Sequence, residues 1–444
     1  MLATQTKPTL ELELLRRLAE ARSQTDEIFE LVRPDSIYER PIPERHRIVF
    51  YLGHIEAFDW NLLHKRMLNS RSFLPAFDRL FAFGIDPVGG QLPSDHPTDW
   101  PSLSEIHHYN RRVRETLDKG LQKALLSSPV PGDAAASMLL NVAIEHRLMH
   151  AETLAYILHQ MPFDRKTRGS GRSESTGGAV GLDEMVEVPA GLATLGLPRE
   201  EGGAFGWDNE YEVHRVSVPR FAIDRYKVTN GQYLKFMAAG GYEDASLWSK
   251  SGWNWKTGRA IAHPVFWKKA GGRWLYRGMF DEYPLPLDCP AQVSFAEASA
   301  YARWAGKSLP SEAQWQRAAY GSPEGPERLY PWGVEAPSPK RGNFDFQNWD
   351  PAPVGAFPHG RSAFGVAGLI GDGWEWTRTT FGPFPGFQPF SFYPGYSADF
   401  FDGKHYVLKG ASARTAACMV RRSFRNWFQP HYQYLYACFR CVKN

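Results

Sequence analysis

His146 and His150 stand four residues apart in the stretch 141–160, NVAIEHRLMHAETLAYILHQ. On a helix, two imidazoles at that spacing project from one face a turn apart, so their nitrogens can converge on one metal ion. A third ligand has to come from elsewhere. His54, within VFYLGHIEAFDW at 49–60, is the other histidine of the first half that lies in an equally well-formed amphipathic segment. Three imidazoles on two helices, with no carboxylate or thiolate at the same spacing, suit a borderline ion such as iron, zinc or copper and leave positions open for substrates. HxxxH pairs also arise by chance on solvated or capped helix faces, so spacing alone leaves both readings open.

The elements that must carry these residues are legible as periodic segments. Val142, Ile144, Leu148, Met149, Leu154, Ile157 and Leu158 recur at helical spacing with no Gly or Pro between them. A helix over 8–33 is expected from Leu12, Leu15, Leu18, Ile28, Leu31 and Val32, and it ends before Pro34. A second helix covers 45–66 and carries His54. Residues 72–101 show no sustained period and contain Gly84, Pro87, Gly89, Gly90, Pro93, Pro97 and Pro101, so a long loop is expected there. Ser102 and Glu105 read as a capping box opening a helix to about 126, and Asp133 reads as the cap of the helix that carries His146 and His150. Four helices with one long connection predict a bundle over 1–163, a common place for metal sites built from facing helices. Residues 164–182, rich in Gly, Ser, Thr and Arg, read as a linker. From 183 to 444 short strand-like runs alternate with Gly, Pro and two helical pieces, at 229–239 and at 295–305 with 311–320 close behind. The fold class is thus α+β and multidomain.

Composition narrows the function classes. The chain has 444 residues, too many for one ordinary core, and 14% are aromatic. A net charge of +3 with only short basic runs indicates no nucleic-acid partner. No apolar leader is visible at the N-terminus, and no stretch approaches the length of a membrane span, so no membrane partner is expected. Four cysteines, Cys289, Cys418, Cys438 and Cys441, are too sparse for a disulfide framework, which makes a reducing cytoplasm the expected compartment. Cys438 and Cys441 form a CxxC in ACFRCVKN, where a final strand is expected with Cys438 and Arg440 on one face and Phe439 and Cys441 on the other; ordinary packing is the expected role of both thiols.

Several separate motifs in the second half occur in the order of one family: VPAG at 188–191, FGWDNE at 205–210, KVTNGQY at 227–233, WAGKSLPSEAQW at 304–315, YPWG at 330–333 and GDGWEWT at 371–377. This half resembles the formylglycine-generating/sulfatase-modifying-factor domain, a C-type-lectin-like mixed α/β fold rich in irregular structure. The formylglycine generators carry a redox-active cysteine pair shortly before the final FRC strand; here KGASARTA at 409–416 has none and Cys418 stands alone. The first half resembles a DinB-like four-helix bundle with three histidine ligands. Together the halves resemble the ergothioneine sulfoxide synthase (EgtB) family of mononuclear non-haem iron enzymes. That resemblance implies Fe(II) on His54, His146 and His150, and oxidative bond formation between carbon 2 of the hercynine imidazole and a chalcogen donor, with dioxygen as third substrate. Asn426 and Trp427, in RNW at 425–427, match the family segment that lines the hercynine pocket, whose quaternary ammonium suits aromatic faces; Met149, beside the ligand His150, is a further substrate-contact candidate. The loop at 381–396 matches the stretch that supplies a proton-donating tyrosine, which leaves Tyr393 and Tyr396 as candidates.

Departures from the family bear on the donor. Members that use γ-glutamylcysteine follow Arg-Asn-Trp with Asp, place Arg four residues further on, and carry two arginines in the long bundle loop. Here those positions hold Phe428 and Tyr432, and 84–100 has no Arg or Lys. Gln91, Ser94, Asp95, His96 and Asp99 instead offer hydrogen bonds suited to hydroxyls, with Gln91, Ser94 and Asp95 the residues expected to hold the donor. A neutral polyhydroxylated donor, a selenosugar, is the better match, as in the selenoneine synthase (SenA) branch. Cysteine or γ-glutamylcysteine is the alternative donor. A non-catalytic ligand-binding module is the alternative of another class, against which the retention of three histidines argues. A metal-dependent thiol transferase would need only the bundle.

Overall fold

The computed structural model describes residues 7–83, 92–126, 136–167, 183–200 and 203–444. The chain divides into two units, 1–169 and 170–444. Unit 1 is helical: α1 (Lys7–Glu30), α2 (Ile48–Arg66), α3 (Pro75–Phe83), α4 (Leu103–Leu126) and α5 (Ala136–His159). Helix α1 packs along α5, while α2 packs on α3, α4 and α5 and so sits at the centre of the unit. Its apolar stripe is correspondingly wide. Ile48, Val49, Ile55, Ala57, Trp60 and Leu63 are all within 1% of full burial. The capping box at α4 forms as the sequence predicts, the Ser102 N–H donating to Glu105 (2.9 Å) and the Glu105 N–H to the Ser102 hydroxyl (3.4 Å). Asp133, expected to cap α5, lies outside the described residues, as do Gln91 and most of the expected linker.

The expected loop at 72–101 is corrected in part, because α3 occupies Pro75–Phe83. Proline at the first helical position costs no hydrogen bond, and Phe81 and Asp78 face inward. The Asp78 carboxylate takes bonds from the Tyr109 hydroxyl (2.8 Å), the Trp60 indole (3.2 Å) and the Ser72 hydroxyl, which locks this helix to α2 and α4.

Unit 2 contains β1 (Met185–Val188), β2 (Gly191–Leu195), β3 (His214–Val218), β4 (Phe221–Asp224), α6 (Asn230–Ala238), α7 (Lys250–Gly258), β5 (Trp267–Ala270), β6 (Arg273–Arg277), β7 (Glu282–Pro284), α8 (Phe295–Trp304), α9 (Glu312–Tyr320), β8 (Trp374–Thr380), β9 (Tyr406–Lys409), β10 (Asn426–Phe428), β11 (Ala437–Cys438) and β12 (Val442–Lys443). Among the described residues the strands form four small sheets, ordered β1-β4-β12, β10-β9-β8-β11, β2-β3 and β5-β6-β7; β11 runs parallel to β8. Helices α6, α8 and α9 start at the capping boxes Thr229/Gln232, Ser294/Glu297 and Ser311/Gln314. Helix α7 was not apparent as a periodic segment. The aromatic load fills the core: Trp315, Trp374 and Trp376 are fully buried, and the Trp315 indole donates to Glu375 (3.0 Å), which also receives Arg440 at 2.6 and 2.7 Å.

The single final strand is also corrected. The chain leaves the β8 sheet after Cys438 and joins the β4 sheet at Val442, so strict alternation is broken. Cys438, Phe439, Arg440 and Cys441 are all buried, and none of the four cysteines is in a disulfide. Burial pushes the Cys438 thiol up to about 12 and the Cys441 thiol well above its usual value; Cys289 is buried and Cys418 exposed. Among the described residues no helix is long and apolar enough to cross a membrane.

Candidate metal centre

His54 on α2 and His146 and His150 on α5 come together inside unit 1, each offering a nitrogen within 4.8 Å of the others. The His54 Nδ1–H donates to the Phe81 carbonyl at 2.6 Å, which fixes the tautomer and leaves a lone pair on Nε2. That Nε2 lies 3.1 Å from the His150 Nε2. The Nδ1 atoms of His146 and His150 are buried without a hydrogen-bond partner. Aromatic rings enclose the cluster: Phe58 stacks on His146 at 3.4 Å and 9°, Phe50 on His54 at 4.7 Å and 28°, and the Tyr51 ring centroid is 5.7 Å from that of His150.

Burial lowers the pKa of all three imidazoles, His54 to about 4 and the other two well below the usual value, with the neighbouring imidazoles and Arg147 adding to the effect on His146. They are therefore neutral at physiological pH, the form in which a histidine binds metal. Three neutral nitrogen donors converging in an apolar shell fit a borderline divalent ion, which would satisfy lone pairs that the protein leaves unmatched. The same shift fixes a pH response. An unfolded imidazole takes up a proton near 6.5 whereas folded His54 does so near 4, so the unfolded state binds more protons throughout that window and stability falls as pH drops through it. The metal-free protein should lose up to about 3 kcal/mol from His54 between pH 7 and pH 4, read as a lower urea midpoint; a flat profile would contradict neutral burial.

Beneath the histidines lies a set of ion pairs that sequence reasoning missed. Arg147, fully buried next to His146, donates to Glu56 (2.9 Å) and Asp59 (2.6 Å) on α2, and to the Ile55 carbonyl (3.1 Å). Arg114 of α4 donates to Glu56 (2.9 and 2.6 Å) and to Asp26 of α1 (2.7 and 2.7 Å). Burial pushes the Glu56 carboxyl up, but Arg147 and Arg114 outweigh it and hold it below the usual carboxylate range. These pairs join the two ligand-bearing helices through charges that cannot be separated cheaply. An arginine amid the apolar residues of a helix was the available signal.

Gly53, next to His54, is required by close approach: a Cβ there would lie 2.4 Å from the Phe81 ring. Gly53→Ala should therefore push away the residue whose carbonyl orients His54. A fall in metal affinity of about 10–100-fold is expected, as for loss of other outer-shell partners, measured by competition with a chelator; unchanged affinity would remove Phe81 from this role.

The other candidates are distributed as follows. Met149 is half-buried on α5, and Ser94 is exposed. Asp95 is buried, its carboxylate paired with Arg40 and with Arg47 (3.0 Å) and accepting from the Trp100 indole (2.7 Å). It anchors the end of its loop, and these bonds compete with any made to a ligand. In unit 2, Trp427 of β10 stacks on Phe381 (4.3 Å, 6°) and meets Tyr396 edge-on at 5.4 Å. Asn426 is half-buried and accepts from the Trp427 N–H (2.9 Å). Tyr396 stacks on Trp207 (3.9 Å), with the Tyr393 ring 5.6 Å from it. Burial, with the Asp208 carboxylate adding to it, pushes the Tyr393 hydroxyl up to about 12. Phe428 and Tyr432 stack on each other at 5.3 Å and 17°.

Residues 173–444 match the sulfatase-modifying factor enzyme 1-like domain. The chain is 33% identical over 436 residues to the hercynine oxygenase of Mycolicibacterium thermoresistibile, covering 96% of this chain and 93% of that one. It is 42% identical over 232 residues to the hercynine oxygenase of Mycobacterium tuberculosis, covering 52% and 54%, and 27% identical over 505 residues to ergothioneine biosynthesis protein 1 of Neurospora crassa, covering 94% and 56%. The matches thus span about half the length of the latter two relatives.

Proposed function

This chain belongs to the hercynine oxygenase family, and we propose that it is an Fe(II)- and dioxygen-dependent enzyme that joins carbon 2 of the hercynine imidazole to the selenium of a selenosugar. The observation that carries the iron-dependent part is the convergence of three neutral imidazoles, two buried and His150 half-buried, in an apolar shell. Bound there, iron(II) would supply redox capacity toward dioxygen and open positions for substrates. The residues of the chain do the rest. His54, held by the Phe81 carbonyl, keeps one donor direction fixed. Trp427, with Asn426 beside it, is the group we assign to the trimethylammonium of hercynine. Of the two candidate tyrosines we assign proton delivery to Tyr393, which is protonated at neutral pH, because Tyr396 is stacked on Trp207.

The choice of donor is supported by Phe428 and Tyr432, a stacked uncharged pair where a dipeptide donor would need charged partners, and by the commitment of Arg40 and Arg47 to Asp95. The name of the Neurospora crassa relative favours a second reading, carbon–sulfur bond formation from cysteine or γ-glutamylcysteine. An aerobic assay of the iron-reconstituted protein separates them: hercynine is offered with selenoglucose, thioglucose, cysteine and γ-glutamylcysteine in parallel, and products are read by mass. A dominant hercynine–selenosugar adduct is expected. A dominant cysteine or γ-glutamylcysteine adduct would replace the donor assignment, and no adduct with any donor would sink the activity itself.

A further inference from the structure

Unit 2 holds a buried carboxylate that the proposed reaction leaves without a role. Asp208, within FGWDNE, is fully buried, and Arg199, the cation whose field reaches it, is itself paired with Glu212 (2.9 Å). Its Oδ1 accepts from the hydroxyl of Ser397, also fully buried, at 2.6 Å. Burial pushes the Asp208 carboxyl up to about 6, against the pull of that bond and of the Asn209 and Phe390 backbone N–H groups. A carboxylate kept inside the protein beside a hydroxyl and N–H groups rather than a bound cation costs folding free energy, and such groups concentrate where chemistry needs them.

What Asp208 meets is the loop that joins β8 to β9 and carries both candidate tyrosines. The Tyr393 N–H donates to the Phe390 carbonyl (3.0 Å) and the Tyr396 N–H to the Tyr393 carbonyl (3.3 Å), which makes 390–396 a unit of two linked turns. Asp208 touches both ends of that unit, through Phe390 and through Ser397, and Trp207 beside it stacks on Tyr396 at 3.9 Å. The segment that bears Asp208 is anchored in turn. Glu210 receives Arg421 (2.8 Å) and Ser423 (2.6 Å), and the Asn209 carbonyl receives Arg425 (3.2 Å), which also donates to the Gly382 carbonyl (3.0 Å) near the start of the same loop. We propose that Asp208 is a positioning residue, which fixes the turns at 390–396 through Ser397 and Phe390 and so aims the Tyr393 hydroxyl. The role rests on the assignment of proton delivery to Tyr393, and it explains why a carboxylate stands here: asparagine, its nearest isostere, would turn an N–H group toward one of the donors that Asp208 accepts.

The test compares full-length wild type with Asp208→Asn and Ser397→Ala, each labelled with 3-fluorotyrosine, by fluorine NMR. The Tyr393 signal, identified as the one missing from Tyr393→Phe, should shift or broaden in both variants. Iron content should stay at the wild-type level, because the three histidines lie in unit 1. With iron bound, kcat for adduct formation should fall about tenfold in Asp208→Asn, the KM for hercynine should change less than about twofold, and the solvent deuterium isotope effect on kcat should rise as proton delivery becomes limiting. An unmoved Tyr393 signal would overturn the proposal. So would a moved signal with unchanged kcat, or a kcat that falls only in proportion to the folded, iron-loaded fraction, which would make the role merely structural. Failure of the wild-type protein to form any adduct would instead sink the proposed reaction, and the NMR comparison would still decide whether Asp208 holds Tyr393.

Discussion

His146→Ala should leave the protein without iron. Reconstituted wild-type protein is expected to keep about one iron per chain after desalting, and the variant close to none, because removing one of three donors costs more than the roughly 10–100-fold associated with an outer-shell partner. The physical reason is that the chain offers no substitute. Among the described residues His54, His146 and His150 form the one group of three or more His, Cys, Asp or Glu side chains that converge in this way, and nearby Glu56 and Asp59 are held by Arg147. The alanine also leaves a void beside Phe58, whose ring stacks on His146. Iron measured by mass spectrometry, alongside a circular dichroism spectrum to verify the fold, decides the matter; full iron retention in a folded variant would refute the site.

The second large effect concerns stability. Arg147→Ala should cost about 3–5 kcal/mol, since it strands Glu56 and Asp59 in the interior with part of their countercharge gone. A loss under 1 kcal/mol by urea denaturation would mean that water reaches the carboxylates. Replacing all three residues with apolar ones (Arg147→Met, Glu56→Leu, Asp59→Leu) should recover much of the loss, because no buried charge is then left unpaired. The pairing therefore makes removal of one partner costly without requiring that the intact set be a large net stabiliser.

What the sequence disclosed and what it hid divide along one physical line. The helical repeat of α5, the HxxxH spacing and the capping box at Ser102 are local: each is set by residues within a turn or two of one another, and each formed as expected. Helix α3 is also local, but nine residues begun by proline and followed by glycines carry too little periodicity to stand out. The anchor of His54 is a main-chain carbonyl 27 residues away, and any residue at position 81 presents a carbonyl, so no side-chain pattern could announce it. Asp95 reads as a ligand-binding group because its surroundings in sequence are polar, and nothing local shows that the fold also brings it Arg40 and Arg47 from about fifty residues earlier. Arg147 is visible as an oddity, whereas its partners require knowing how α2 meets α5.

The burial of the cysteines has a consequence for a protein proposed to work in air. An oxidant generated during turnover attacks a thiolate far faster than a thiol, and Cys438 and Cys441 are kept protonated and sealed from solvent. Cys289 is sealed as well, which leaves Cys418 as the one thiol that solvent reaches. Of the four thiols, Cys418 is thus the one open to such an oxidant, and a Cys418→Ser chain would keep no thiol within its reach.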